Sequence, residues 1–294
     1  MPRKNRPSGS AFTLFVRPEC RFCEKEKPFP IGISIAVPTS VNQVLHRIVT
    51  TQRVTDGATT LPLSHPDFPQ LPVAVDEREG AFLQQIVRDL QPRVSLEVGC
   101  AYGVSTLYIC EELSRLSHAA RHIVIDPFQT SQWRGIGRKN VEDAGFGRVA
   151  DFLEDYAELV LPRLVQSDVA VDFAFVDGRH TFDQVMVEFY YINKLLRVGG
   201  VIAFDDADRR SVNRVIRHAL GYPAYRPYAT SPSTPARKTI FGHVRRALAS
   251  LPMAASIVRA DVIHRDWDLD IFGSCVAIQK IDEDGRSSGW DAVF

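Results

Sequence analysis

Four strongly apolar runs of strand length each close on or beside an acidic residue: Val94 to Val98 with Glu97, His122 to Asp126, Val171 to Asp177 and Val201 to Asp205. Between them lie apolar residues at helical spacing: Leu107, Cys110 and Leu113; Leu159 to Val165; then Phe182, Val185, Met186, Phe189 and Leu196; and, after the fourth run, Val212 to Leu220. Such uninterrupted apolar strands are buried on both faces, and their alternation with helices implies a mostly parallel, doubly wound α/β sheet. In sheets of this kind crossovers are right-handed and ligands collect at the carboxyl ends of the strands. One acid at a strand end is often a turn former or cap. Four would put carboxylates along one rim.

The first run leads into Glu97-Val-Gly-Cys-Ala-Tyr-Gly103. Gly99 and Gly103 mark points where the backbone bends sharply or nears a ligand, because glycine takes positive φ without a Cβ penalty. A dinucleotide fingerprint would need G-x-G-x-x-G, and a phosphate loop would need Lys followed by Ser or Thr; neither is present. Residues 94–106 hold no basic side chain, and Glu97 would repel a pyrophosphate at the helix N-terminus. A phosphate-free, partly cationic ligand fits better.

Charge narrows the partners further. The 294 residues carry 35 basic and 35 acidic side chains, so no global field favours nucleic acid or an anionic membrane. No apolar run reaches the roughly 20 residues that span a bilayer, and the basic N-terminus lacks the apolar core of a secretory signal. A cytoplasmic protein is expected. Five cysteines, an odd number, argue for reduced thiols. Cys20-Arg-Phe-Cys23 is a tight pair, but a structural zinc would need two more ligands, and His46 and His65 lack the spacing. Cys100, Cys110 and Cys275 sit in apolar contexts and should pack as small hydrophobes.

Residues 1–75 read as a partly ordered extension, suited to covering substrate or to a homodimer contact, with Pro62, Pro66, Pro69 and Pro72 keeping its end extended. The main domain should span 76–284. It opens with Asp76-Glu-Arg-Glu79, an N-cap and capping-box partner ahead of Phe82, Ile86, Val87 and Leu90 at helical spacing. Val149 to Leu153 is a further strand candidate, Gly199-Gly200 stops the helix before Val201, and Ile271 to Lys280 reads as a last strand. The insertion at about 229–270 is long for a connection and suggests a lid. Residues 285–294 form a tail.

In combination, Glu97-Val-Gly-Cys-Ala-Tyr-Gly103, Asp126-Pro-Phe, Phe175-Val-Asp-Gly-Arg-His180 and Gly199-Gly-Val-Ile-Ala-Phe-Asp-Asp206 resemble the class I S-adenosylmethionine-dependent methyltransferases. Within that class they are similar to the small-molecule O-methyltransferase branch of macrocin type, methyltransferase family 24. The resemblance covers residues 76 to about 282. It implies a Rossmann-like, seven-stranded sheet with an antiparallel last strand, S-adenosylmethionine as cofactor and a small hydroxyl-bearing acceptor.

Carried over by motif, Glu97 would accept from the cofactor's ammonium and Gly99 would let the backbone approach its methionine part, with Gly103 and Ser105 completing the turn. Asp126 would take the ribose hydroxyls, since a carboxylate can accept two O–H bonds. Phe128 could pack on adenine or belong to the core, and the adenine-binding side chain near Glu154, Asp155 and Tyr156 is left open among the three. His180, three residues after Asp177, has a pKa suited to general-base work, with helix capping as its alternative. Asp177, Asp205 and Asp206 converge where metal-dependent relatives hold a divalent ion, and oxygen ligands would favour magnesium, manganese or calcium. Capping of the next helix is the alternative for one of the paired acids. A non-catalytic, cofactor-binding partner module is the second reading; a dehydrogenase lacks its third glycine and its Tyr-x-x-x-Lys.

Overall fold

The computed structural model describes residues 42–231, 266, 269–287 and 290, all within the unit 35–294. The Cys20–Cys23 pair, most of the expected lid and most of the tail lie outside the described residues.

Asn42 caps α1 (Gln43–Thr51), its side chain accepting from Val44 N. A two-stranded hairpin follows, β1 (Arg53–Asp56) and β2 (Thr59–Pro62), turned at Asp56-Gly57 with Gly57 at φ 57°. This Asp-Gly pair between short β-prone runs is the local signal for such a turn. Leu45, Ile48, Val54, Leu63 and Val75 are buried in one cluster with residues of the following domain, so residues 42–75 form part of its core.

Helix α2 (Glu77–Leu90) starts as its sequence predicts: Asp76 Oδ1 accepts from Arg78 N and Glu79 N at 2.8 and 2.9 Å, and Glu79 Oε2 accepts from Asp76 N at 2.9 Å. The alternation then runs β3 (Val94–Val98), α3 (Val104–Leu113), β4 (Arg121–Ile125), α4 (Ile136–Asp143), β5 (Ala150–Leu153), α5 (Ala157–Gln166), β6 (Val171–Val176), α6 (Phe182–Leu195), β7 (Leu196–Phe204), α7 (Arg210–Leu220), β8 (Tyr225–Thr230) and β9 (Val276–Lys280).

The large sheet has the order β5-β4-β3-β6-β7-β9-β8. Strands β5, β4, β3, β6 and β7 are parallel, and β9 runs antiparallel between β7 and β8. Period-two alternation divides the strands between two cores. Val124, Phe173, Phe175, Val201 and Ala203 pack with α1 to α4; Leu96, Val98, Ile123, Ile125, Ala174, Val176, Ile202 and Phe204 pack with α5 to α7. Cys100, Cys110 and Cys275 are buried free thiols within the first core.

One boundary differs from the sequence expectation. Strand β7 begins at Leu196, so Gly199-Gly200 lies inside it instead of separating it from α6. The pairing slips there: Val171 faces Leu196, whereas Phe173 faces Val201. Gly199 adopts φ 90°, and a Cβ on Gly200 would come within 2.9 Å of the Arg197 and Asp172 carbonyls. The two glycines thus make an excursion within the strand.

Candidate cofactor and acceptor site

The parallel strands deliver their acids to one rim, as their positions in the sequence predict. Glu97 is the penultimate residue of β3, while Asp126, Asp177 and Asp205 directly follow β4, β6 and β7. After Val98 the chain turns through Gly99, Ala101 and Gly103 at φ 88°, 47° and 83°. A Cβ on Gly99 would lie 2.1 Å from the carbonyl oxygen of Asp177, so glycine is required there by the neighbouring turn of the protein itself. Gly103 is equally confined: its Cβ would stand 2.9 Å from Gly137 O. Ser105 is buried in the first turn of α3.

Glu97 is fully buried. Its Oε2 accepts from Thr106 Oγ1 at 2.5 Å and lies 3.1 Å from His122 Nε2; Oε1 has no partner. His122 is also fully buried, with Nδ1 2.8 Å from Ser95 Oγ. Neither Thr106 nor His122 stood out as a site residue in the sequence. A histidine inside an apolar strand was a usable signal, but its link to Glu97 depends on the β3–β4 register, which pairs Ser95 with His122.

Asp126 is more heavily engaged than its strand-end position suggested. Oδ2 accepts from Cys100 N, Ala101 N and Gln129 Nε2 at 3.1, 2.9 and 2.9 Å, and Oδ1 accepts from Phe128 N at 2.9 Å. The two successive loop amides form a concavity for an anion, filled here by the protein's own carboxylate. Gln129, which also donates to Ala101 O, completes the clamp. Phe128 and Tyr156 meet edge to face with ring centroids 5.9 Å apart, and Tyr156 is 48% exposed. Among the neighbours left open, Glu154 binds Thr130 N and Oγ1, and Asp155 pairs with Arg163 at 3.0 Å. Tyr156 thus offers the accessible ring.

The loop after Gln129 is anchored rather than loose. Trp133 is buried between Tyr102 and His65, Arg134 reaches Asp56, Arg138 lies over the Phe152 ring, and Lys139 pairs with Asp143.

Across the rim, Asp177, His180, Asp205 and Asp206 come together. His180 Nδ1 is 3.2 Å from Asp206 Oδ2, while Nε2 is 3.4 Å from Asp177 Oδ1, has no hydrogen-bond partner and is shielded from solvent. Ser211 Oγ donates to the His180 carbonyl at 2.6 Å, and Arg209 Nε contacts Asp206 Oδ2 at 2.7 Å. Burial lowers the His180 pKa, with Arg209 adding to the shift against the opposing charges of Asp206 and Asp205. Burial, followed by the charge of Asp177, pushes Asp205 up to about 10. The Asp177 carboxyl is likewise raised, chiefly by burial. Glu79 adds its charge from α2, where Oε1 also accepts from Ser274 Oγ.

The three aspartates are near one another, and Asp206 is engaged by Arg209 and His180. Among the described residues, no group of three His, Cys, Asp or Glu side chains is arranged to hold a metal ion. As arranged, the described side chains do not form a divalent-cation site. Nor is any described helix long and apolar enough to cross a membrane.

Residues 96–207 match the family described as a methyltransferase domain. An uncharacterized protein of Sinorhizobium fredii is 23% identical over 218 residues, which are 72% of this chain and 24% of that protein. The flavonoid 3',5'-methyltransferase of Vitis vinifera is 26% identical over 145 residues, 48% of this chain and 58% of the relative. The chain thus spans only part of the length of these relatives. An O-methyltransferase of Bacillus cereus, solved with S-adenosylhomocysteine, shares the fold with a TM-score of 0.52 at 19% identity, covering 65% of this chain and 85% of the other.

Proposed function

We propose that the protein is an S-adenosylmethionine-dependent methyltransferase acting on a hydroxyl of a small molecule such as a sugar, a phenol or a natural product. The observation that carries this reading is the unpartnered Oε1 of Glu97. A buried carboxylate oxygen without a donor is costly, and at a strand's carboxyl end it suits a cationic donor such as the cofactor's ammonium. The family match and the Bacillus cereus complex with S-adenosylhomocysteine support this cofactor. The name of the Vitis vinifera relative, a flavonoid methyltransferase, supports a small-molecule acceptor, and that of the Bacillus cereus O-methyltransferase supports oxygen as the methylated atom.

The bound cofactor would supply a methyl carbon made electrophilic by its sulfonium. Glu97 Oε1 would accept from the ammonium, and Asp126 has lone-pair capacity left at Oδ1 for a ribose hydroxyl. Phe128 and Tyr156 would flank the adenine, while Gly99, Gly103 and Ser105 shape the turn beneath it. On the acceptor side, Asp206 would hold the proton on His180 Nδ1 and leave the lone pair on Nε2. Nε2 would take the acceptor's proton as the new C–O bond forms, and Asp177 beside it would steady the resulting imidazolium. Close placement of the reactants supplies much of the remaining rate.

Calorimetric titration with S-adenosylmethionine should give saturable binding, and Asp126→Ala should abolish it by unclamping the loop. A wild-type protein that shows no saturable binding would sink the reading.

A further inference from the structure

Ser95, Glu97 and His122 are three polar side chains on one face of two neighbouring strands, all fully buried. The parallel register sets Ser95 beside His122, and period-two alternation turns Glu97 to the same face, beneath Thr106 of α3. A buried carboxylate serving only the fold would be expected to share its hydrogen bonds between both oxygens, because each lone pair left bare costs stability. Here Thr106 and His122 both approach Oε2, and Oε1 receives nothing.

We propose that His122 is a positioning residue: by holding Oε2 it aims Oε1 of Glu97 at the cofactor's ammonium. This rests on the reading of Glu97 given above. Ser95 sets the direction of the imidazole, since its hydroxyl can donate to Nδ1 while Nε2–H donates to Glu97. An apolar residue at 122 would leave Oε2 with Thr106 alone, and the carboxylate would be free to swing both oxygens toward α3.

The test compares S-adenosylhomocysteine, which carries the ammonium, with 5'-methylthioadenosine, which lacks the amino-acid part. Both are titrated calorimetrically into the wild type, His122→Phe, His122→Gln and Ser95→Ala, with each variant's melting recorded. His122→Phe should weaken S-adenosylhomocysteine about tenfold or more, the worth of a hydrogen bond to a charged group, and change 5'-methylthioadenosine by less than about twofold. His122→Gln, which keeps an N–H, should recover part of the loss. Ser95→Ala should show the same selectivity at smaller size, and it carries the comparison if His122→Phe does not fold. Equal weakening of both ligands, or no weakening of either, would overturn the role. Failure of the wild type to bind S-adenosylhomocysteine would instead remove the functional reading, and the positioning role with it.

Discussion

His180 shows how one residue's surroundings prepare it for a task. Its ring is held by Asp206 at Nδ1 and its backbone by Ser211, while Nε2 is left without a partner. Replacing it with alanine should lower kcat about 100-fold or more, the usual worth of a positioned base, and leave cofactor affinity within about twofold. An unchanged rate would remove it as the base. The depressed pKa fixes the sign of the pH response. Because the shift is downward, kcat should hold at pH 7 and fall as pH drops below 6.5. Stability shifts in the same direction. Between the lowered pKa and 6.5 the unfolded chain binds the extra proton, so acidification across that window costs folding free energy. Pre-steady-state rates and denaturant titrations from pH 5 to 8 check both.

At the scale of single elements, α6 carries the clearest titration. Glu188 is 1% exposed; Oε1 accepts from Gln184 at 3.1 Å and Oε2 has no partner. Burial, with a contribution from Glu158, pushes its pKa from the usual 4.5 to about 8. Because the folded protein keeps a proton that the unfolded chain has released, stability should fall as pH rises from 4.5 to 8. Glu188→Gln should flatten that slope and gain on the order of 2 kcal/mol at pH 8 relative to the wild type, with little difference at pH 5. Urea unfolding at the two pH values measures it. Elements were legible in the sequence where their signals were local. The Asp76–Glu79 capping box spans four residues, and the start of α2 follows from it. The hairpin at Asp56-Gly57 was equally local but lay in a segment read as extension, because its flanking prolines dominated the pattern. Gly199-Gly200 resembled a helix stop; its accommodation inside β7 depends on the Asp172 carbonyl of another strand.

For the whole molecule, the mostly parallel sheet and its acidic rim could be anticipated because parallel βα units fix where strands end. The site's internal wiring could not, since it is written across strands: Glu97 meets His122 through the β3–β4 register, and Asp126 is clamped by amides 25 and 26 residues away. Nor could the contribution of residues 42–75, whose apolar side chains are too few to show a period yet join the first core. Asn42 ties this segment to Glu111 and to the Ala144 carbonyl. Leu45→Ala should therefore cost about 3 kcal/mol in urea unfolding, as a core truncation does; a cost below about 1 kcal/mol would mark the segment as peripheral. The meeting of Gly99 with the Asp177 carbonyl bears on how such a protein can change over time. That contact joins backbone to backbone, so side-chain substitution in the turn after β6 cannot loosen it. Side chains on the two turns are therefore free to vary, whereas the spacing between the turns is inherited with the sheet.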